Sequence, residues 1–393
     1  MKKYRVTARS NEAPPFAALP DLASRALAGS VVYANDELFA QRENLITPAR
    51  AVFSTEDFGH KGKVYDGWET RRRREDGHDW AIVRLGVPGV VRGVDIDTSW
   101  FKGNYPPHAS VEAASFEWHP SDAELESADW VTLVEKSPLK GDTDNYFDVT
   151  DERRFTHVRL SIFPDGGVAR FRVHGEPVPD PRFLTGTVDL AGLENGGAVV
   201  DCSNMFYSSP TQILLPGRAR IMGEGWENAR RRDGGNDHVT VALAAPGLVR
   251  RIEVDTSYFV GNAAGWARLS GVNEATGDVD DPSTWEELVP KTRLQPDTRH
   301  FFRVRPDAPV THVRLDVYPD GGLARLRING EVDEAALHAA VVRWLDLLPE
   351  SHAVQVLTSG AGLSAEEAEA LVGKRPFGDG AVPDEVVTAL LAD

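Results

Sequence analysis

An acidic residue beside a run of arginines is the most unusual pattern in the sequence. Residues 66–74 contain Glu69, followed within two positions by four consecutive arginines. A guanidinium can hold a carboxylate through two parallel hydrogen bonds, and a nearby carboxyl group can transfer protons. On a strand, Glu69, Arg71 and Arg73 would share one face. The segment predicts an anion-binding site with an acid or base beside it; the alternative is a solvated arginine run stacked on Trp68.

A histidine next to an aspartate follows a few residues later. His78 can exchange a proton near neutral pH, and Asp79 would be the residue that orients its ring. A turn that carries a surface histidine is the alternative. The pair is therefore a candidate for acid–base work beside the arginine run.

A second group of polar residues ends a strand and begins the loop after it. Asp97, Ser99, Lys102 and Asn104 lie within eight residues of each other. Loops held by a rigid strand commonly carry binding or catalytic side chains. A capped β-turn with a purely structural role is the alternative for this group.

Metal ligands are harder to assign. The 11 histidines include no His-x-His and no His-Glu-x-x-His spacing, which would bring two imidazoles onto one ion. Glu112 and Glu117 could meet His108 and His119 on one metal. We leave a divalent metal ion open as a cofactor and assign no ligands to it.

The elements that position these residues occur twice. Gly67–Glu69 returns as Gly225–Glu227, and 14 of 21 positions are identical between residues 156–176 and 311–331. Collinear matches of this kind indicate a tandem duplication. In the second copy an asparagine, Asn236, takes the place of His78, so the histidine is not required for the fold.

The duplication predicts four segments: 1–19, a first repeat at 20–180, a second repeat at 181–331 and a helical tail at 332–393. Proline-rich residues 177–181 form the linker. Alternating apolar and polar residues predict short strands, and the Pro-Asp-Gly-Gly turn at 164–167 predicts a hairpin between its flanking strands. We therefore expect an all-β protein of two tandem β-sandwich, or jelly-roll, domains with a small helical appendage.

The amino-acid composition limits the kinds of molecule that we expect the protein to bind. Acidic residues outnumber basic ones, 60 to 43, for a net charge of −17 at pH 7. A surface of this sign repels phosphate backbones and anionic lipids, so we expect neither nucleic acid nor membrane as a partner. The single cysteine, Cys202, cannot form an internal disulfide, and no secretion signal or membrane span is recognisable. We expect a cytoplasmic protein that binds a small molecule.

Taken together, the motifs resemble the allantoicase family over about residues 20–331. The resemblance implies two jelly rolls similar to galactose-binding and discoidin-like domains, hydrolysis of allantoate to ureidoglycolate and urea, and often a homo-oligomer. The second repeat departs from the family pattern at Asn236 and Ala263, which favours a site centred on the first repeat. The matching segments are Asn44–Ile46, Asp66–Arg73, Gly77–Trp80, Asp97–Ser99, Gly103–Pro107, Pro164–Arg170, Gly225–Glu227 and Arg230–Arg232.

The chemistry of allantoate suggests a role for each candidate residue. An arginine fork suits its carboxylate, and its leaving nitrogen needs a proton. As catalytic residues we predict Glu69, His78, Asp79 and Asp97. As substrate-binding residues we predict Trp68, Arg71, Arg72, Arg73, Ser99, Lys102, Asn104, Glu227, Arg230 and Arg231.

Two alternatives from other functional classes remain. Jelly rolls often only bind carbohydrates or other small ligands, because a fold does not determine a function. The altered second repeat also fits a decayed enzyme kept as a scaffold. Release of urea from allantoate distinguishes both alternatives from an active hydrolase.

Overall fold

The computed structural model describes residues 13–53, 65–378 and 380–392, together with the backbone of 58–59 and 62–63. It divides into two compact units. The first unit, described from residue 13 to Val178, also includes Arg343–Ala392, and the second comprises Pro179–Val342. The two predicted repeats therefore fall in separate units, and most of the helical tail belongs to the first unit.

One antiparallel sheet dominates the first unit. It has seven strands in the order β1-β5-β9-β6-β7, and both β8 and β11 also pair with β5. The pairs β2–β3 and β4–β10 are separate and short. The strands are β1 (Ser30–Ala34), β2 (Phe58–Gly59), β3 (Gly62–Lys63), β4 (Trp68–Glu69), β5 (Asp79–Asp97), β6 (His108–Ala114), β7 (Val131–Pro138), β8 (Tyr146–Asp148), β9 (Arg154–Phe163), β10 (Gly167–Val168) and β11 (Arg170–Pro177), with one short helix, α1 (Asp122–Ser127).

The second unit repeats this plan. Its eight-stranded sheet runs β12-β21-β15-β19-β16-β17, with β13 and β18 also on β15, and β14 pairs with β20. The strands are β12 (Thr187–Asp189), β13 (Ala198–Cys202), β14 (Trp226–Glu227), β15 (Asp237–Asp255), β16 (Trp266–Val272), β17 (Glu286–Arg293), β18 (Arg299–Arg303), β19 (Val310–Tyr318), β20 (Gly322–Leu323) and β21 (Arg325–Val332). This confirms the predicted fold class of two tandem β units.

The 19-residue strand β5 explains how one sheet makes two layers. Its first half pairs with β1 and β9, its register with β9 breaks between Arg84 and Gly89, and its second half pairs with β11. A strand that bends can pass from one layer of a sandwich to the other. The predicted hairpin across 164–167 is therefore wrong, because β9 and β11 pair with opposite halves of β5, and β10 between them pairs with β4.

The tail is helical, as predicted. It consists of α2 (Glu334–Leu347), α3 (Glu350–Gly360), α4 (Ala365–Val372) and α5 (Asp384–Leu391). A capping box of Ser364 and Glu367 begins α4, and Asp333 accepts two backbone amides at the start of α2. No helix in the described ranges is both long and apolar enough to cross a bilayer.

The first residues of the short strands β10 and β20 are glycines that have no room for a side chain. A methyl group on Gly167 would lie 2.1 Å from the buried ring of Phe101, and one on Gly322 would lie 1.9 Å from Phe259. The rings and the short strands therefore pack directly against each other in both units.

We expect Gly167→Ala to lower the free energy of unfolding by about 1–3 kcal/mol, since an extra methyl group overpacks a filled core. Urea denaturation measures the change. Gly103→Ala is the matched control, because a methyl group there meets nothing within 4 Å. Equal stability of the two variants would contradict the packing argument.

Candidate functional site

Glu69 is a buried carboxyl group with a single side-chain partner. It ends β4, and its exposed fraction is 9%. The amide of Asn104 donates to its Oε1 at 2.6 Å, whereas its buried Oε2 accepts no hydrogen bond from the described residues. Burial raises the pKa of Glu69, and the Asn104 hydrogen bond opposes the rise. The group is therefore suited to hold a proton that an ordinary glutamate would release.

The backbone around Glu69 fixes its position. Gly167 lies opposite Glu69 in the β4–β10 pair, and the amide of Gly167 donates to the carbonyl of Asn104 at 2.8 Å. The amide of Ala40 donates to the Glu69 carbonyl at 3.2 Å. Strand, turn and loop thus bring Glu69 and Asn104 together, although 35 residues separate them in sequence.

The second unit contains the same pair. The amide of Asn262 donates to Oε1 of Glu227 at 2.6 Å, and Glu227 ends the short strand β14. Glu227 is more exposed than Glu69. Both units therefore carry a carboxyl group held by one asparagine.

The three predicted arginines do not point at one ligand. Regular strand structure ends at Glu69, so the residues after it do not alternate across a sheet. Arg71 pairs with Asp36, and Arg73 donates to the buried Asp79 at 2.6 Å. Arg72 is exposed.

The second unit treats its arginines in the same way. Arg231 donates to the buried Asp237 at 2.8 Å and also pairs with Asp233. Arg230, at the position of Arg72, is exposed. In each unit one arginine of the run supports the fold and its neighbour faces solvent.

His78 and Asp79 are adjacent in sequence but have different surroundings. Asp79 accepts from Arg73 and Asn35, whereas His78 packs on Phe163 with ring centroids 4.6 Å apart. Burial and the nearby charges of Arg159 and Arg73 lower the pKa of His78, so its imidazole is largely neutral at pH 7. His78 also lines a cavity of about 410 Å³ whose lining residues do not include Glu69.

The loop after β5 is a capped turn. Asp97 is buried, and its Oδ1 accepts from the amide of Ser99 at 2.7 Å. Asp255 and Ser257 repeat this contact at 2.8 Å in the second unit. Lys102, which is exposed, lies 3.5 Å from Asp142. The carboxylate of Asp97 therefore shapes the loop that carries Asn104.

Trp68 is fully buried, so it packs rather than faces a ligand. Its indole N–H donates to the carbonyl of Asp36 at 2.7 Å, and Trp226 donates to the carbonyl of Asn204 at 2.8 Å. The tryptophan next to each glutamate thus anchors the segment to the core.

The side chains considered for a metal do not fit one. Glu112 accepts from Arg159 at 2.8 Å, and Glu117 lies 2.9 Å from Nε2 of His352 on α3. Within the described ranges, no group of three or more histidine, cysteine, aspartate or glutamate side chains is arranged to hold a metal ion. We therefore derive no chemical step through a metal.

Comparison with known proteins identifies the family. A model described as the allantoicase repeat matches residues 20–178 and 188–333. The chain belongs to the allantoicase family. A probable allantoicase of Nocardia farcinica is 55% identical over 331 residues, which cover 83% of this chain and 98% of the relative. The allantoicase of Dictyostelium discoideum is 43% identical over 318 residues, with 79% and 86% coverage.

A solved structure agrees with this assignment. The crystal structure of allantoicase from Saccharomyces cerevisiae superposes with a TM-score of 0.69 at 35% identity, and covers 79% of this chain and 92% of that one. The resemblance to the allantoicase family that the sequence motifs indicated is confirmed, together with its two-repeat fold.

Some residues that build the candidate site were missed in the sequence. Asp36 binds both the backbone amide and the side chain of Arg71, and Asp165 accepts from the amide of Arg73 at 2.8 Å. The Pro-Asp-Gly-Gly motif singled out Asp165, but only as a turn residue. Nothing in the spacing of Asp36 distinguishes it from other surface aspartates.

Asp95 is the most perturbed acid near this end of the sheet. It is 5% exposed, and its Oδ1 accepts no hydrogen bond from the described residues. Burial, with the charges of Asp144 and Asp97, raises its pKa to about 8. The folded protein therefore keeps a proton on Asp95 that the unfolded chain releases near pH 4.

This difference makes Asp95 a source of pH-dependent stability. Its contribution is full below about pH 4 and is lost as the pH rises to about 8, because the unfolded state binds fewer protons throughout that window. We expect Asp95→Asn to reduce this loss of folding stability with rising pH, which can reach about 1.4 kcal/mol per pH unit. Urea unfolding at pH 5, 6, 7 and 8 measures it. Parallel stability curves for variant and parent would show that Asp95 is ionised in the folded state.

Proposed function

We propose that this chain hydrolyses allantoate to ureidoglycolate and urea at a site built around Glu69 and Asn104. The reaction is that of a hydrolase acting on carbon–nitrogen bonds in linear amidines. The observation that carries the site assignment is the buried Glu69 carboxyl group, with one oxygen held by Asn104 and the other without a partner among the described residues.

The raised pKa of Glu69 suits the first half of the reaction. Allantoate carries its carboxylate and two ureido groups on one carbon. Protonated Glu69 donates to the nitrogen of one ureido group as the carbon–nitrogen bond breaks, so that urea leaves as a neutral molecule. A general acid at a breaking bond typically contributes about 10²–10⁴-fold in rate.

The second half restores the enzyme. Water adds to the carbon that lost urea, its oxygen becomes the new hydroxyl group, and its proton returns to the Glu69 carboxylate. One water is consumed, and one urea and one ureidoglycolate are formed. The unpartnered Oε2 is the oxygen available for both proton transfers, because Oε1 accepts from Asn104.

We assign the carboxylate of the substrate to Arg72. Asp36 already neutralises Arg71 and the buried Asp79 neutralises Arg73, whereas Arg72 is exposed three residues from Glu69. An arginine also supplies the local positive charge that an anionic substrate needs on a chain of net charge −17. Arg230 is its counterpart beside Glu227.

The first unit is our choice for the main catalytic site. Glu69 is more buried than Glu227, and burial is the cause of its raised pKa. Arg71 has no counterpart in the second unit, where Ala229 stands. The roles proposed for His78, Asp79 and Asp97 change accordingly: Asp79 and Asp97 position the segments that carry Arg73 and Asn104, and His78 lies in a separate cavity.

We further propose a cytoplasmic homo-oligomer that does not bind nucleic acid. The acidic charge supports the last point. Two groups of large apolar side chains, four in each unit, are exposed and support self-association, since exposed apolar surface commonly marks protein interfaces. They are Leu38, Phe39, Phe53 and Trp100 in the first unit and Phe206, Tyr207, Met222 and Tyr258 in the second.

Glu69→Gln tests the acid directly. We expect turnover of allantoate to fall by at least about 10²-fold with folding intact, because glutamine is of equal size but cannot donate the proton. Urea release by purified protein is the measurement, and Glu75→Gln, an exposed position on the same segment, is the control. Near-parental turnover in the Glu69 variant would remove it from the mechanism. An absence of urea from the parent protein would favour a binding module or a decayed enzyme.

Asn104→Ala tests the pairing of Asn104 with Glu69 through the pH dependence of kcat/KM. The Asn104 hydrogen bond lowers the pKa of Glu69, so its loss should raise that pKa further. A general acid works only when protonated, so we expect the alkaline limb of kcat/KM to move to higher pH. A merely structural role for Asn104 would lower kcat/KM without moving the limb.

A further inference from the structure

A second candidate site lies on the outer face of the sheet in the first unit. The cavity of about 410 Å³ is formed on β5, β6, β7 and β9, and its lining residues include neither Glu69 nor Asn104. Side chains alternate across a strand, so Trp80 and Ser110 point outward while Ala81 and Val111 point into the core. Cavities of roughly 300–1,000 Å³ accommodate small molecules.

One wall of this cavity is aromatic. The ring of His78 lies 5.6 Å from Trp80 and 4.6 Å from Phe163, measured between centroids. The ammonium group of Lys136 lies 4.2 Å from the centroid of Phe163. This wall therefore combines three aromatic side chains with a hydrogen-bond donor at one end.

The floor is made of small hydroxyl groups and one ion pair. Ser110 and Ser161 face each other across β6 and β9, and Trp80 lies opposite Ser161 on β5. Arg159 and Glu112 hold each other at 2.7 Å. The floor thus combines donors and acceptors, while its strongest charges are already neutralised.

The second unit fills the same place with charged side chains. Arg268 stands at the position of Ser110 and pairs with Glu287 at 3.4 Å. Asp316 stands at the position of Ser161 and accepts from Asn236 at 3.0 Å and from Arg314 at 3.1 Å. The fold therefore accepts larger, charged side chains at the positions of Ser110 and Ser161.

We propose that this cavity is a binding site for a neutral, ring-shaped small molecule with both hydrogen-bond donors and acceptors, of the size of one sugar or one cyclic ureide ring. Its four ionisable residues other than His78 carry balanced charges, two basic and two acidic, which gives no preference for an ion. Aromatic side chains beside polar groups that converge on one space are features of small-molecule sites, and here the polar groups are in the majority. The proposal does not depend on the role of Glu69.

The second unit supplies the test variant. Ser110→Arg combined with Ser161→Asp copies its charged side chains on strands of the same register, so the variant should fold. Hydantoin represents the cyclic ureides and galactose the sugars, and calorimetric titration of the full chain with each compound measures binding. We expect one of them to bind the parent protein, and its affinity to fall at least about tenfold in the double variant.

Turnover separates this cavity from the proposed catalytic site. Glu69→Gln should keep the affinity of the bound probe while losing urea release, and the double variant should keep urea release while losing the probe. The proposal is overturned if neither compound binds the parent, or if binding survives in the double variant. It is also overturned if the folded double variant no longer hydrolyses allantoate, because the cavity would then be part of the catalytic site.

Discussion

The pairing of Arg73 with the buried Asp79 is the interaction on which the candidate site depends. Asp79 is 1% exposed and begins β5, the strand that both layers of the first unit share. A carboxylate buried to this degree is stable only with a charged or hydrogen-bonded partner. The ion pair therefore ties the arginine segment to the start of β5. Glu69 lies four residues before Arg73, so the same pair also limits how far Glu69 can move from the sheet. Arg231 and Asp237 repeat the same solution.

Comparison of the two units shows which contacts both retain and which side chains differ between them. Both retain the buried tryptophan, the arginine–aspartate pair, the aspartate-capped turn and the glutamate–asparagine pair. They differ in the outer face of the sheet, where Trp80 is replaced by His238 and Ser110 by Arg268. The features kept after duplication include the asparagine that holds the glutamate and the arginine–aspartate pair beside it, whereas the side chains on the outer face of the sheet differ.

The sequence predicted the fold class and singled out Glu69 and Asn104 as candidates, but not that these two side chains pair. Duplication and alternation were sufficient for two β units, because both can be recognised directly in the sequence. The hairpin prediction was wrong because β9 and β11 pair with different parts of the long strand β5. A local turn motif does not reveal the length of that strand. His78 and Asp79 were paired because they are neighbours, yet successive side chains of an extended chain point to opposite sides. Asp36 lies 35 residues from Arg71, beyond the reach of any spacing argument.

A balance of opposing effects gives Glu69 its chemistry. Burial favours the protonated acid, and each hydrogen bond donated to its carboxylate favours the ionised form. Further donors to its carboxylate would favour the ionised form more strongly. A single donor, Asn104, holds the side chain in place and still leaves the pKa above its usual value. The capped turn at Asp97 begins the loop that carries Asn104, so a structural contact seven residues away helps to place the one donor of the group that we put at the centre of catalysis.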